Sequence, residues 1–163
     1  MDSISSDDGG SAPRRAQLNL AVRESLRDLS VQMALLNQRI SGRLDLRGTD
    51  LQCLDLVDRH GPLSPSALAR RAGLHPATMT GVIDRLERGG WVARDRGTAD
   101  RRAVLIRALR DRNSELLHLY SGMNTALDQI CAGYSDAELR LLADFLNRTA
   151  HAGQTATDEL ASD

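Results

Sequence analysis

The sequence predicts a mainly α-helical protein with one small β-hairpin. Aromatic side chains are scarce, so the core must be built from Leu, Val, Ile, Ala and Met, which suits packed helices better than a large sheet. Apolar residues recur at steps of three and four over a long stretch towards each end of the chain. Between these stretches lies a shorter, strongly basic segment. We therefore expect a compact basic module joined to a region of long helices.

The first stretch of the chain predicts a tail followed by one long helix. Residues 1–13 are rich in Ser, Asp and Gly and lack an apolar run, which indicates a disordered tail and neither a signal peptide nor a membrane anchor. An uninterrupted helical pattern then runs from Leu18 to Leu44, before Gly48. No apolar run approaches the roughly 20 residues that span a bilayer.

Three shorter helices are expected next. Thr49 is a candidate N-cap for the first, which Gly61 ends. Ser64 before Pro65 provides an N-cap and a first-turn proline for the second, which spans 65–72. The third begins at Pro76 after a turn at Gly73. Its spacing places four apolar side chains inward, namely Met79, Val82, Ile83 and Leu86.

A hairpin and two further helices complete the pattern. Strands are expected at 91–95 and 103–108 around a polar loop at 96–102. A long helix then runs to about Gly133, and Ser135 with Glu138 forms a capping box for a last helix. This order predicts a winged helix-turn-helix module at 49–108, a helical dimerisation region at 14–48 and 109–152, and a flexible tail at 153–163.

The charge is concentrated in the predicted module. Residues 59–112 hold twelve arginines against five acids, a formal charge of +7, whereas the whole chain has −1. A polyanion responds to local charge, so this segment favours double-stranded DNA as the partner. All basic residues are arginine, whose planar fork can bind two phosphate oxygens at once.

The flanking helices predict self-association. They carry more apolar surface than one winged-helix module can cover, which favours a two-fold homodimer. A dimer would hold two reading helices about 34 Å apart, one turn of DNA, and so predicts a palindromic site.

Several motifs together resemble the MarR family of regulators. They are the segment 76–80 with Asp84-Arg85-Leu86-Glu87, the run Gly90-Trp91-Val92, and Asp100-Arg101-Arg102 before an aliphatic strand. The resemblance implies that the helix from Pro76 enters the major groove and that Arg102 probes the minor groove, with Asp100 stabilising the wing. The predicted DNA-binding residues are Arg70, Arg71, His75, Pro76, Ala77, Thr78, Thr80, Arg85, Arg96, Arg101 and Arg102.

The chain departs from the family pattern at two points. Many relatives carry a larger side chain where this chain has Gly81, so one groove contact is missing. The usual residues after the wing strand are replaced by Ala108-Leu109 and Arg112, which leaves the next helix without its expected cap. Three of the predicted DNA-binding arginines have an alternative role unrelated to DNA. Arg70 and Arg71 could form a solvated face, and Arg85 could pair with Asp84 or with the loop of Asp100.

Regulators of this family commonly respond to a small molecule, and the resemblance implies such an effector here. The residues suggested to line its pocket are Met33, Leu36, Asn37, Cys53, His60 and Trp91, although ordinary packing explains each of them. Cys53 and Cys131 show no CxxC spacing and fit a reducing compartment as structural thiols, so redox sensing is the weaker hypothesis.

The sequence therefore predicts a cytoplasmic, sequence-specific DNA-binding regulator, most simply a repressor. The scattered histidines support no metal site, and no nucleotide-binding or nucleophile motif suggests a cofactor or an enzyme. One alternative is a winged-helix interaction module without specific DNA readout, motivated by Gly81. A weaker alternative is an enzyme acting on small molecules in the dimer cleft.

Overall fold

The computed structural model describes residues 11–96 and 104–160. The chain divides after Asp45 into two compact units. The described part of the first unit is dominated by α1, Ser11–Arg43, a single helix of 33 residues. The long helix predicted from Leu18 is confirmed, but it begins at Ser11, inside the segment expected to be a tail. Six of its large apolar side chains are exposed, namely Leu18, Leu20, Val22, Leu29, Val31 and Leu35.

The second unit contains five helices and a hairpin in the described ranges. The elements are α2 (Gly48–His60), α3 (Pro65–Ala72), α4 (Pro76–Arg88), β1 (Val92–Arg96), β2 (Val104–Ala108), α5 (Arg110–Cys131) and α6 (Asp136–Leu160). This order confirms the predicted winged helix-turn-helix. The structure is mainly helical with one small antiparallel hairpin.

Local capping explains where α3 begins and ends. The Ser64 Oγ accepts a hydrogen bond from the Ala67 N–H at 3.2 Å, and Pro65 occupies the first turn, where no N–H is needed. Gly73 adopts the left-handed conformation with φ 63°, and its N–H donates to the Arg70 carbonyl. The Leu74 N–H donates to Ala69 in the same turn. The predicted start and turn are confirmed.

The hairpin has a third, minimal strand. β1 and β2 pair antiparallel from Val92 with Ala108 to Arg96 with Val104. Leu63, between α2 and α3, exchanges two backbone hydrogen bonds with Ile106, at 3.1 and 2.7 Å. This bridge joins the start of α3 to the hairpin, so the wing is attached to the helices by backbone as well as by side chains.

The core of the second unit is aliphatic around one tryptophan. Trp91 is 1% exposed, and both Ile106 and Leu68 are completely buried. Side chains from α2, α3, α4 and the hairpin complete it, namely Leu51, Cys53, Leu54, Val57, Ala69, Met79, Val82, Ile83, Leu86 and Val92. The predicted inward face of α4 is confirmed.

Two further boundary predictions were wrong. α2 begins at Gly48 after an extended Arg47 without a side-chain cap, so Thr49 lies inside the helix and does not cap it. The Asp50 carboxylate sits in the first turn instead, where the helix dipole favours negative charge.

The second wrong boundary is the flexible tail at 153–163, because α6 continues to Leu160. A glycine in a helix costs only about 1 kcal/mol relative to alanine and does not end it. The side chain of Gln154 bonds Asp158 at 2.9 Å across one turn, and the hydroxyls of Thr155 and Thr157 donate to the backbone four residues earlier.

The starts of α5 and α6 agree with expectation. α5 begins after Leu109 without a side-chain cap, as the sequence departure predicted. α6 begins with the capping box: the Ser135 N–H donates to the Glu138 carboxylate at 2.8 Å, and the Glu138 N–H donates to the Ser135 Oγ at 3.4 Å. The Ser135 hydroxyl also donates to the Glu138 carboxylate at 2.7 Å, and this bond, followed by the one from the Ser135 N–H, lowers the pKa of Glu138. Throughout 11–96 and 104–160, no helix is both long and apolar enough to cross a bilayer.

Candidate nucleic-acid interface

The second helix of the motif, α4, has one buried face and one exposed face. Met79, Val82, Ile83 and Leu86 are at most 1% exposed and anchor it in the core. The opposite face presents a row of exposed residues from the first turns of the helix, namely Pro76, Ala77, Thr78 and Thr80. The predicted reading residues of α4 therefore lie together on an accessible surface.

The N-terminus of α4 is capped by a histidine. The Nδ1 of His75 accepts a hydrogen bond from the Ala77 N–H at 3.3 Å, so the proton of the neutral ring lies on Nε2. His75 is exposed on the surface of the described part of the chain. The sequence named His75 as a DNA contact but missed its structural role as the cap.

The two threonines on the outer face differ. The Thr80 Oγ1 donates to the Pro76 carbonyl at 3.2 Å, which is ordinary bonding back to the preceding turn. The Thr78 hydroxyl is exposed and bonds to no residue within 11–96 or 104–160. Thr78 is therefore the threonine better able to bond a base edge or a phosphate without giving up an internal partner.

Arg70 and Arg71 provide positive charge beside this face. Both lie in the last turn of α3, both are exposed, and neither forms an ion pair with an acidic side chain in the described ranges. Cations in the last turn also complement the helix dipole. The geometry leaves both guanidinium groups available for phosphate oxygens.

Arg85 has an internal partner that the sequence did not indicate. Its Nε donates to the Asp50 Oδ2 at 3.0 Å and its Nη2 donates to the Asp50 Oδ1 at 2.7 Å, which ties α4 to the start of α2. The alternative partners expected for Arg85 were Asp84 and the loop of Asp100, but the ion pair is with a residue 35 positions away. While this pair is formed, Asp50 holds the Nε and Nη2 of Arg85 and compensates its charge, which disfavours the predicted phosphate contact.

Other arginines of the basic segment hold the hairpin in place. Arg94 on β1 pairs with both Asp84 and Glu87 of α4, and the hydrogen bond to Asp84 is the largest cause of its raised pKa. Arg107 on β2 pairs with Asp95 on β1 at 2.6 Å. Part of the basic charge thus fixes the wing against the reading helix, before any DNA is bound.

Arg112 connects the start of α5 to the end of α4. Its Nη1 donates to the Gly89 carbonyl at 2.7 Å, and its guanidinium carbon lies 4.1 Å from the ring centroid of Trp91. Gly89 has no room for a side chain, because a Cβ would lie 2.8 Å from the Trp91 Cδ1. The sequence singled out Arg112 only as a departure from the family pattern, and its packing role follows from the fold.

The wing is described up to the end of its first strand and again from the start of its second. Arg96 is the last residue of β1. Asp100, Arg101 and Arg102, the predicted wing stabiliser and groove probes, lie outside the described residues. Their roles stay predictions from the sequence.

The suggested pocket residues occupy different environments. Cys53 and Trp91 are buried in the core of the second unit, and His60 is exposed at the end of α2. Burial, and then the charge of Asp50, raises the pKa of Cys53 to about 11, which keeps the thiol protonated at neutral pH. Met33, Leu36 and Asn37 are half-buried on α1.

A cleft that the sequence did not predict lies elsewhere in the second unit. It has a volume of about 770 Å³ and is formed by the end of α2 and the junction of β2 with α5. We call it the arginine cleft, because Arg107, Arg110 and Arg112 line it, with Asp58 and Asp111 as its acidic residues. Among the described side chains, no three of His, Cys, Asp and Glu cluster as a metal site would require.

Comparison with known proteins gives consistent results. Residues 46–104 match the model of the MarR family. The uncharacterized HTH-type transcriptional regulator YcgE of Bacillus subtilis is 29% identical over 136 residues, which cover 83% of this chain and 88% of that protein. The HTH-type transcriptional repressor YetL of Bacillus subtilis is 32% identical over 90 residues, which cover 53% of this chain and 54% of that protein.

Solved structures share the fold. A MarR family protein from Bacillus stearothermophilus superposes with a TM-score of 0.64 at 22% identity, covering 86% of this chain and 97% of that one. The transcriptional regulator Tm0710 from Thermotoga maritima gives a TM-score of 0.61 at 18% identity, covering 85% and 98%. At these identities the likeness to the solved structures shows the fold alone.

Proposed function

From the match of residues 46–104 to the model of the MarR family, we propose that the chain is a homodimeric repressor of that family that binds a palindromic operator. MarR-family regulators are non-enzymatic DNA-binding proteins. The observation that carries the proposal is the exposed face of α4 beside Arg70 and Arg71, which no described acidic side chain pairs. An accessible helix face flanked by available guanidinium groups fits a major groove and the phosphates at its edge.

The proposed contacts fall into three groups. Arg70 and Arg71 bind phosphates and set the register. The start of α4 faces base edges through His75, Pro76, Ala77, Thr78 and Thr80. The wing contributes Arg96, Arg101 and Arg102, with Asp100 stabilising its loop. Arg85 is omitted because Asp50 holds its guanidinium.

The second copy of the chain is proposed from exposed apolar surface. α6, which is described along its whole length, has no buried residue and exposes Leu141, Leu142, Phe145 and Leu146. α5 exposes Leu117, Met123, Leu127 and Ile130. Apolar surface of this extent on two helices favours burial against another copy, and the symmetry of a dimer would match a palindromic DNA site.

A small-molecule effector is proposed to change the DNA affinity by shifting the equilibrium between arrangements of α4. Three arginines line the arginine cleft, and one of them, Arg112, donates to the Gly89 carbonyl at the end of α4. A ligand that prefers one arrangement of α4 would shift the population that fits two successive grooves. The proposal places the protein in the cytoplasm, where its operator would be.

One alternative has a specific observation in its favour. Gly81 lies on the accessible side of α4 and offers no side chain to a base. If readout fails without this contact, the module serves protein interaction. It would then bind DNA with little sequence preference even at low salt.

The direct test is fluorescence anisotropy with labelled DNA from upstream of the gene and a scrambled duplex, at several salt concentrations. We expect tight, selective and salt-dependent binding. Arg70→Ala should reduce the slope of log affinity against log salt by about 0.9 for each phosphate that is no longer neutralised. Equal, weak binding of the parent protein to both duplexes would favour the interaction module.

A separate variant tests the predicted role of the wing. Arg102→Ala should weaken binding most on A/T-rich flanks, whose minor groove is narrow and strongly negative, and should leave the oligomeric state unchanged. Equal affinity of Arg102→Ala and the parent protein for the same duplex would remove Arg102 from the minor groove. Thr78→Ala should instead alter the selected DNA motif.

A further inference from the structure

Asp50 is an acidic residue in an unusual place. Among the acidic side chains in the described ranges it is the one that is buried, with 2% exposure, and both of its oxygens accept hydrogen bonds from Arg85. Burying a carboxylate is costly, and an apolar pair of similar volume often stabilises a protein as well or better. A bidentate pair, however, fixes the distance and the relative plane of its two groups. The pair is therefore better suited to orienting α4 against α2 than to adding net stability.

Arg85 lies on the same stripe of α4 as the reading residue Thr78. The two are seven residues apart, with Gly81 between them, so all three share one side of the helix. A Cβ at Gly81 would lie 3.4 Å from the Arg85 Nη1, which shows that the guanidinium passes over this glycine. The Arg85 side chain is still 31% exposed. Without its partner, this cation would border the surface that meets DNA.

We propose that Asp50 is a positioning residue for sequence readout. It fixes the rotation of α4 about its axis through Arg85, and it keeps that cation from making a sequence-independent phosphate contact. This inference rests on the proposed function, since it requires that α4 reads DNA.

Asp50→Asn tests the inference, because the substitution keeps the shape and removes the charge that holds Arg85. We expect the ratio of operator affinity to scrambled-duplex affinity to fall about tenfold, the discrimination of one good base contact. Scrambled-duplex affinity should rise, and the salt slope should steepen by about 0.9 for each Arg85 released onto a phosphate. Anisotropy titrations at several salt concentrations measure both quantities.

A matched control exists on α2, the helix that carries Asp50. Asp55→Asn makes the identical change at an exposed carboxylate, which pairs with Arg59 at 2.9 Å. We expect its affinity ratio and salt slope to equal those of the parent protein. The double variant Asp50→Asn, Arg85→Gln removes the released cation, so its salt slope should return to the parent value while its affinity ratio stays low.

A purely structural role for Asp50 predicts a different result. The melting temperature of Asp50→Asn would fall, but its affinity ratio and salt slope, measured where the variant is folded by circular dichroism, would be those of the parent. That outcome overturns the inference. If Asp50→Asn does not fold, Asp50→Leu with Arg85→Met replaces the buried charges by apolar groups of similar volume. An unchanged affinity ratio in this pair also overturns it.

Failure of the proposed function gives a separate signature. The parent protein and Asp55→Asn would then bind operator and scrambled duplex equally. That result would overturn the proposed function and this inference with it, whereas loss of discrimination in the Asp50 variants alone supports both.

Discussion

The helices α4 and α6 have similar apolar spacing in the sequence but opposite environments in the structure. α4 has 13 residues and buries four apolar side chains within its own chain. α6 has 25 residues, all of them described, and buries none. An amphipathic pattern therefore identifies a helix face that is expected to be buried. It does not show whether the same chain or another molecule buries that face. The winged-helix module buries the apolar face of α4 within the chain, whereas the apolar face of α6 stays exposed.

The strongest way to break this comparison is to place a charge on the apolar face of α6. Phe145 is 41% exposed in the single chain, so Phe145→Asp should cost the isolated chain little but disrupt a dimer interface. We expect the mass measured by analytical ultracentrifugation to halve. Operator affinity should fall about 100-fold, because two linked binding events become one.

The control for this variant uses the same helix. Asn147→Asp introduces the same charge at an exposed polar position and should change neither mass nor affinity. An unaltered mass for Phe145→Asp would show that α6 is not the dimer interface. The comparison with α4 would then need another explanation.

The second prediction concerns the packing of the winged-helix module. Gly89→Ala places a Cβ 2.8 Å from the Cδ1 of the buried Trp91, so the free energy of unfolding should fall by about 3 kcal/mol. Denaturant unfolding measures it. Gly81→Ala is the control, because its Cβ would meet only the flexible Arg85 tip at 3.4 Å. The gain in helix propensity should stabilise that variant by up to about 1 kcal/mol.

The two cysteines provide a third comparison of the regions. Burial raises the pKa of Cys53 in the module to about 11, while Cys131 on α5 is half-buried. In the unfolded chain the Cys53 thiol ionises near its ordinary pKa of 9.0, so its contribution to stability is complete below about pH 9 and is lost as the pH rises towards 11.

We expect this loss to amount to about 2 kcal/mol, measured by denaturant unfolding from mildly alkaline pH up to the raised pKa of Cys53. Cys53→Ala should lack that component of the decline. At near-neutral pH, alkylation should modify Cys131 well before Cys53. Rapid native-state labelling of Cys53 would contradict its assignment as an inert core thiol and reopen the redox hypothesis.

The smallest expected effect concerns the residue that joins the module to α5. Arg112→Met removes the hydrogen bond to the Gly89 carbonyl and the stacking on Trp91, and should lower the free energy of unfolding by about 1 kcal/mol. Arg112→Lys keeps the charge without the planar fork and should recover only part of this loss. If both variants equal the parent in stability, Arg112 does not couple the two regions.

Local sequence signals were sufficient for most of the fold. Ser64 with Pro65 and Ser135 with Glu138 each act over three residues or fewer, and the structure contains both caps as predicted. The observed hairpin strands begin and end within one residue of the predicted bounds. The extent of α6 was missed because Gly153 is a weak helix breaker, and the bonds that bridge it depend on the helix already being formed.

Ion-pair partners were not predictable in the same way. Asp50 and Arg85 are 35 residues apart, and Arg94 reaches back to Asp84 and Glu87 on a different element. Twelve arginines compete for few acids in the basic segment, so partner choice is decided by tertiary placement. The sequence therefore identifies a set of cations. The fold divides those it describes into structural arginines and exposed arginines available for DNA.

Trp91 gives the protein an optical probe of its own. It is the only tryptophan in the chain, it is 1% exposed, and the Arg112 guanidinium stacks on its ring. Because Arg112 also lines the arginine cleft, anything that displaces this guanidinium changes the electric field and the packing at the indole. The intensity and wavelength of tryptophan emission should therefore report movement at the junction of the module and α5 in the unmodified protein, which makes a compound library directly screenable without a label or a known operator.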